Sequence, residues 1–148
     1  MRFTGFLALA TILVSSSAYA AEAEDAILVI TGANIELSLS VSEVRDVFLK
    51  VRRQVRSSRL RPIGRSPGPV RTAFLKNALE MTDGEYSRYW VQKRFVSGDQ
   101  PPPQASSAAD VVSFVVKVKG GVGFVSRSEL SPEQETKVRV VAEIESTP

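Results

Sequence analysis

One short segment of this chain, Arg65-Ser66-Pro67-Gly68, has the composition of an oxyanion-binding turn. A guanidinium stays charged at all ordinary pH and can grip an oxyanion through two parallel N–H donors. The small, glycine-bearing residues after it let backbone amides approach an anion closely. The segment lies in a window of one sign: between Val47 and Leu79 there are nine basic residues and no acidic one, namely Lys50, Arg52, Arg53, Arg56, Arg59, Arg61, Arg65, Arg71 and Lys76. Such a field attracts anions and raises their local concentration. A plain strand-to-helix turn uses the same residue types, so the local sequence leaves both readings open.

The residues that are missing narrow the chemistry further. The chain has no histidine and no cysteine, so it lacks the usual general base, the thiolate nucleophile and the common transition-metal ligands. Its acids are scattered: Glu22, Glu24 and Asp25, then Glu80, Asp83 and Glu85 around one turn, then a thin acidic tail. A binding protein rather than an enzyme is the expectation, with neither cofactor nor metal.

The first 20 residues have the three regions of a secretory signal in order. Arg2 is the positive start, Phe6 to Val14 the apolar core, and Ala18-Tyr19-Ala20 the cleavage site. The apolar core is shorter than the roughly 20 residues a spanning helix needs, and no cysteine is present to carry a lipid. The expected product is periplasmic or secreted, not membrane-embedded, and cleaved after Ala20. Export makes a small anion or an acidic partner, not nucleic acid, the expected counterpart of the basic window. What remains is enough for one ordinary domain, expected over residues 26–144. Its net charge falls from +3 to +2 once Arg2 leaves, so the basic window is a local asymmetry.

The elements that must position the turn follow from periodicity. Ala26 to Thr31 is a continuous apolar run ended by Gly32 and reads as a strand buried on both faces. Ser40 and Glu43 match a capping box. Val41, Val44, Val47, Phe48, Val51 and Val55 share a helical face, which predicts a helix from Val41 to about Arg53. Leu60 to Ile63 is a short second strand closed by Gly64. Pro69 suits a first helical turn, and the apolar period from Val70 to Leu79 carries that helix to Met81.

Thr82 and Glu85 open a third helix at Asp83, bearing Tyr86, Tyr89, Trp90 and Phe95, of which the first three read as packing. Gly98 to Ala105, with three consecutive prolines, reads as an ordered or extended loop. Ser107 and Asp110 open a fourth helix that stops at Gly120-Gly121. Val122 to Ser126 is a third buried strand, and Lys137 to Ile144 a fourth or an exposed terminal one. Strands alternating with helices predict an α/β domain with a mixed, partly parallel sheet flanked by helices. Such sheets bind ligands beyond the carboxyl ends of their strands.

The order of short motifs adds more than any one of them. Asp46-Val47-Phe48-Leu49, Pro62-Ile63-Gly64-Arg65-Ser66, Thr72-Ala73-Phe74-Leu75, Tyr86-x-x-Tyr89-Trp90, Phe95-x-x-Gly98, Pro101-Pro102 and Gly121-Val122-Gly123-Phe124-Val125 follow one another in a succession that resembles the small phosphate-binding, PstS-like periplasmic solute-binding proteins. The resemblance runs from about Ile27 to about Ser126. It implies a reduced, single-lobe type 2 periplasmic-binding-protein-like domain, the larger relatives being two-lobed clamshells that close on phosphate.

In those relatives an arginine and a Ser-Gly-Thr-like turn hold the phosphate, and the matching positions here are Arg65 and Gly68-Pro69-Val70. Pro69 has no N–H and Val70 no hydroxyl. Ser66, Arg71 and Thr72 are the nearby residues that would have to compensate, so the implied ligand site is Arg65, Ser66, Gly68, Arg71 and Thr72. Each charge-assisted hydrogen bond lost costs about 1.5–3 kcal/mol, so losing two, together with the donors of the missing lobe, weakens binding by several powers of ten.

Two functions stay open. One is capture of phosphate or a similar small oxyanion, weakly or with a partner, in the context of phosphate ABC transport. The other is an interaction or accessory module, with most ligand affinity lost, that keeps the fold and docks on an ABC transporter permease or a membrane-bound sensor. The arginines Arg52, Arg53, Arg56 and Arg59 are the candidates for such a docking face.

Overall fold

The computed structural model describes residues 26–146. The export signal expected over residues 1–20 lies outside the described residues. A four-stranded sheet forms the centre, its members in order across the sheet being β4 (Arg61–Pro62), β7 (Gly121–Ser126), β1 (Ile27–Gly32) and β8 (Val138–Ile144). Strand β1 runs antiparallel to both β7 and β8, with a register shift between Val29 and Ile30 on the β8 side, while β4 runs parallel to β7. The sheet is therefore mixed and partly parallel, as expected.

Side chains alternate across a strand, and here the alternation fills two cores. Ile27 and Val29 of β1, with Val122 and Phe124 of β7, face α1 (Val41–Phe48) and α2 (Pro69–Phe74). Leu28 and Ile30, with Val125, face α4 (Ala108–Lys117). The result is three layers with the sheet in the middle. On the first face Phe74 stacks on Phe124 at 3.8 Å and meets Phe48 edge-on at 4.8 Å, pairs worth about 0.5–1.5 kcal/mol beyond their buried area. On the second face the layers approach so closely that a Cβ at Gly123 would lie 2.5 Å from Val111 Cγ1 and 2.9 Å from Ile63 Cγ2.

The capping boxes act as read. Ser40 Oγ accepts from the Glu43 amide at 3.1 Å while Glu43 accepts from the Ser40 amide at 2.9 Å, and Thr82 and Glu85 do the same for α3 (Asp83–Ser97). Each box satisfies two of the donors that a helix start leaves open.

Two expectations are corrected. The first helix ends at Phe48, not Arg53, because Lys50 takes a left-handed conformation (φ 53°) and the amides of Val51 and Arg52 both turn back to the Asp46 carbonyl. Val51 is exposed, and Val55 reaches the core from a hairpin of β2 (Gln54–Val55) and β3 (Ser58–Arg59). The second helix is α only to Phe74; it widens into a π-helical segment over Leu75–Leu79 and stops at Glu80, which is left-handed (φ 55°), not at Met81. The aromatics read as packing do pack: Trp90 is buried between Tyr86 and Tyr89, while Phe95, further along α3, is 87% exposed.

The proline loop is ordered, and its end forms β6 (Gln104–Ala105), which pairs in parallel with β5 (Gly64–Arg65). A 3₁₀ turn (Arg127–Glu129) and a short helix, α5 (Pro132–Glu135), join β7 to β8, which occupies one edge of the sheet.

Candidate functional site

Because β4 and β7 are parallel, they deliver the residues that follow them to the same end of the sheet. Ile63 N donates to Val122 O at 2.8 Å and keeps the chain on β7 up to that point. The proline loop then takes over: Gly64 N donates to Pro103 O at 2.8 Å and Ser66 N to Ala105 O at 2.9 Å. Arg65 is held between these two bonds at the carboxyl end of the parallel pair, where α/β sheets place their ligands.

The guanidinium does grip an oxyanion in the two-pronged manner, and the oxyanion belongs to the chain itself. Arg65 Nη1 donates to Glu129 Oε2 at 3.0 Å and Nη2 to Glu129 Oε1 at 3.0 Å. Glu129 stands in the 3₁₀ turn after β7, where its Oε2 also accepts from the Ser126 amide at 2.9 Å. The arginine side chain is 11% exposed and the glutamate 28%. Burial pushes the Glu129 carboxyl up, but the Arg65 hydrogen bond, the Ser126 amide and the Arg65 charge outweigh it and hold the group below its ordinary 4.5.

Arg71 is engaged as fully. It is buried, with Nε donating to Asp83 Oδ1 at 2.9 Å and Nη1 to the Arg65 carbonyl at 3.3 Å. Its guanidinium lies over the Tyr86 ring, 5.2 Å from the centroid. Both arginines of the expected site therefore have carboxylate partners, and the positive field expected of this segment is neutralised there.

The structure brings Arg65 and Arg71 together and leaves Thr72 apart. Thr72 is exposed and lines a different surface groove, alongside Lys76, Glu80 and Asp83. Ser66 is half-buried, with its amide committed to Ala105. Gly68 caps α2 without a side-chain bond, and Pro69 at the first helical position has no N–H to offer an anion. Between Arg65 and Arg71 the space lined by Phe48, Phe74, Tyr86 and Phe124 amounts to about 10 Å³, which is room for about one water.

The carboxylates are hard to see in the sequence: Asp83 falls only among the acids at the start of the third helix, and Glu129 belongs to none of the motifs above. A signal for Glu129 was present, since Ser126-Arg127-Ser128-Glu129 repeats the S-x-x-E spacing already used at Ser40 and Thr82 and closes a capping box here too.

No family model matches the sequence, and no curated protein matches it. Among the solved structures similar to the chain are the following three. One, from Clostridium perfringens, is described as a phosphate ABC transporter substrate-binding protein with bound phosphate (17% identity, TM-score 0.56, covering 79% of this chain and 44% of that one). A second is an ABC-type phosphate transport receptor from Vibrio cholerae (15% identity, TM-score 0.58, 79% and 45%). The third is described as a possible phosphate binding protein from Planctomyces limnophilus (13% identity, TM-score 0.52, 79% and 40%). The chain spans less than half the length of each. The shared feature is the fold.

Proposed function

Taking a chain with the PstS-like, type 2 periplasmic-binding-protein-like fold as the premise, we propose that it is an exported accessory protein of phosphate-type ABC transport, with a weak oxyanion site at Arg65. Phosphate or a similar small oxyanion enters that site only in exchange for Glu129. The observation that carries this reading is the two-pronged Arg65–Glu129 pair. It is the geometry with which a guanidinium holds an oxyanion, and it supplies a competitor that is always present. The domain expected over residues 26–144 is the unit that does this. Among the described residues no helix is long and apolar enough to cross a membrane, which is compatible with a partner, such as a permease or a membrane-bound sensor, providing any membrane attachment.

Thermal melting of the mature protein in millimolar phosphate tests the exchange. The wild type shifts slightly, Glu129→Gln shifts more because the competing charge is gone, and Arg65→Ala does not shift. A ligand at 100 times its dissociation constant contributes about 2.7 kcal/mol, so a Glu129→Gln protein no more responsive than wild type sinks the reading. A second reading, docking with no oxyanion affinity, is favoured by the filled space between Arg65 and Arg71. Its signature is that phosphate, sulfate and acetate leave all three proteins unmoved.

A further inference from the structure

A second concave region, sharing no lining residue with the space at Arg65 and Arg71, lies where the hairpin of β2 and β3 meets β4 and the end of α4. Its volume is about 490 Å³, within the roughly 300–1,000 Å³ range of real binding pockets. Five cations line it, Lys50, Arg52, Arg53, Arg59 and Arg61, and no carboxylate does. Beneath them the surface is apolar, formed by Leu60, Pro62, Phe114 and Val118 together with Val47 and Pro103.

The cations are not equivalent. Lys50 Nζ donates to Gln100 O at 2.8 Å, Arg53 is paired with Asp99, and Arg52 lies 3.8 Å from Asp46. Arg59 and Arg61 are exposed, and among the described residues neither side chain has a hydrogen-bond or ion-pair partner. They sit on one short stretch, at the end of β3 and the start of β4, held by the Arg61 amide on Gly120 O at 2.8 Å.

From this arrangement we infer that the groove docks an acidic segment of a partner protein, one that places apolar side chains on the Leu60–Phe114 floor and carboxylates against Arg59 and Arg61. Charge complementarity names the acids, and the floor beneath the cations names the apolar residues between them. The way the segment docks follows from β4. This strand is an edge of the sheet; its Arg61 amide bonds inward to Gly120 O, just ahead of β7, and the Ile63 amide that follows it bonds inward to Val122 O of β7. The residue between them is Pro62, which has no N–H to offer outward. A partner strand cannot extend the sheet there, so recognition goes through side chains.

Isothermal titration of the mature protein with a 12-residue peptide alternating aspartate and leucine tests this, beside an aspartate–serine peptide, vesicles containing phosphatidylglycerol, and single-stranded DNA. The aspartate–leucine peptide binds best. The doubly substituted Arg59→Ala, Arg61→Ala protein loses at least tenfold in affinity, and Arg94→Ala, outside the groove, loses nothing. Phe114→Ala loses affinity for the leucine peptide alone. Because Arg65→Ala and Glu129→Gln leave peptide binding unchanged, failure here is separable from failure of the oxyanion exchange. Absence of peptide binding, equal affinity for the serine peptide, or preference for vesicles or DNA overturns the inference.

Discussion

Arg65 and Arg61 are four residues apart in one basic window, and they meet opposite electrostatic conditions. Arg65 is nearly buried and gripped at both prongs by Glu129. Arg61 is exposed above an apolar floor, with no side-chain partner among the described residues. A run of like charges on a sequence is therefore not one functional unit. Burial obliges a charge to find a partner within the fold, whereas a surface charge is left available to something else. Here the residue with the family-like motif has its charge satisfied internally, and the charge available to a partner lies upstream of it.

The largest test of this contrast is Arg65→Ala. It leaves Glu129 mostly buried beside no cation, so a loss of about 2–3 kcal/mol is expected in urea unfolding. Replacing the pair together, by Arg65→Met with Glu129→Leu, should restore most of that loss because no orphaned charge remains. If the single substitution were neutral, Arg65 would be as free as Arg61 and the contrast would fall.

Acid sharpens the same point with a smaller effect. The Glu129 carboxyl is held below its ordinary 4.5 in the folded protein. Its contribution to stability is therefore complete above about that pH and disappears as pH falls through the depressed folded value. Unfolding free energies measured down an acid series should fall more steeply for wild type than for Glu129→Gln. Parallel curves would mean that the pair contributes nothing.

The smallest expected effect is at the other region. Arg59→Ala and Arg61→Ala each change stability by no more than about 0.5 kcal/mol, because no hydrogen bond or ion pair among the described residues is removed. A larger loss in chemical denaturation would show that these arginines are structural after all.

The sequence made the layers legible because apolar alternation in β1 and β7 is a direct record of which face each residue meets. Ser40–Glu43 and Thr82–Glu85 were legible for a similar reason, since capping is local. The valines did not reveal where the first helix ends. Val51 and Val55 keep the helical period, yet the left-handed Lys50 turns the chain first, and Val55 is buried from a hairpin. The pairing of Arg65 with Glu129 spans 64 positions, and it depends on β4 and β7 being parallel neighbours. That adjacency is a property of the sheet, so Arg65 could be picked out while the group that answers it could not. The π-helical widening at Leu75–Leu79 has no composition signal that distinguishes it from the α-helix before it.

Pro62 has a further consequence for how copies of this chain coexist. An open strand edge is a template on which identical molecules can stack into growing ribbons. On β4 the outward donor is missing at Pro62 and Arg61 stands exposed, a combination that opposes edge-to-edge growth. The far edge, β8, carries Arg139 and Glu143 as exposed charges. Exposed charge at both margins, joined at β4 by the missing donor, works against copies of the chain pairing through the edges of this sheet.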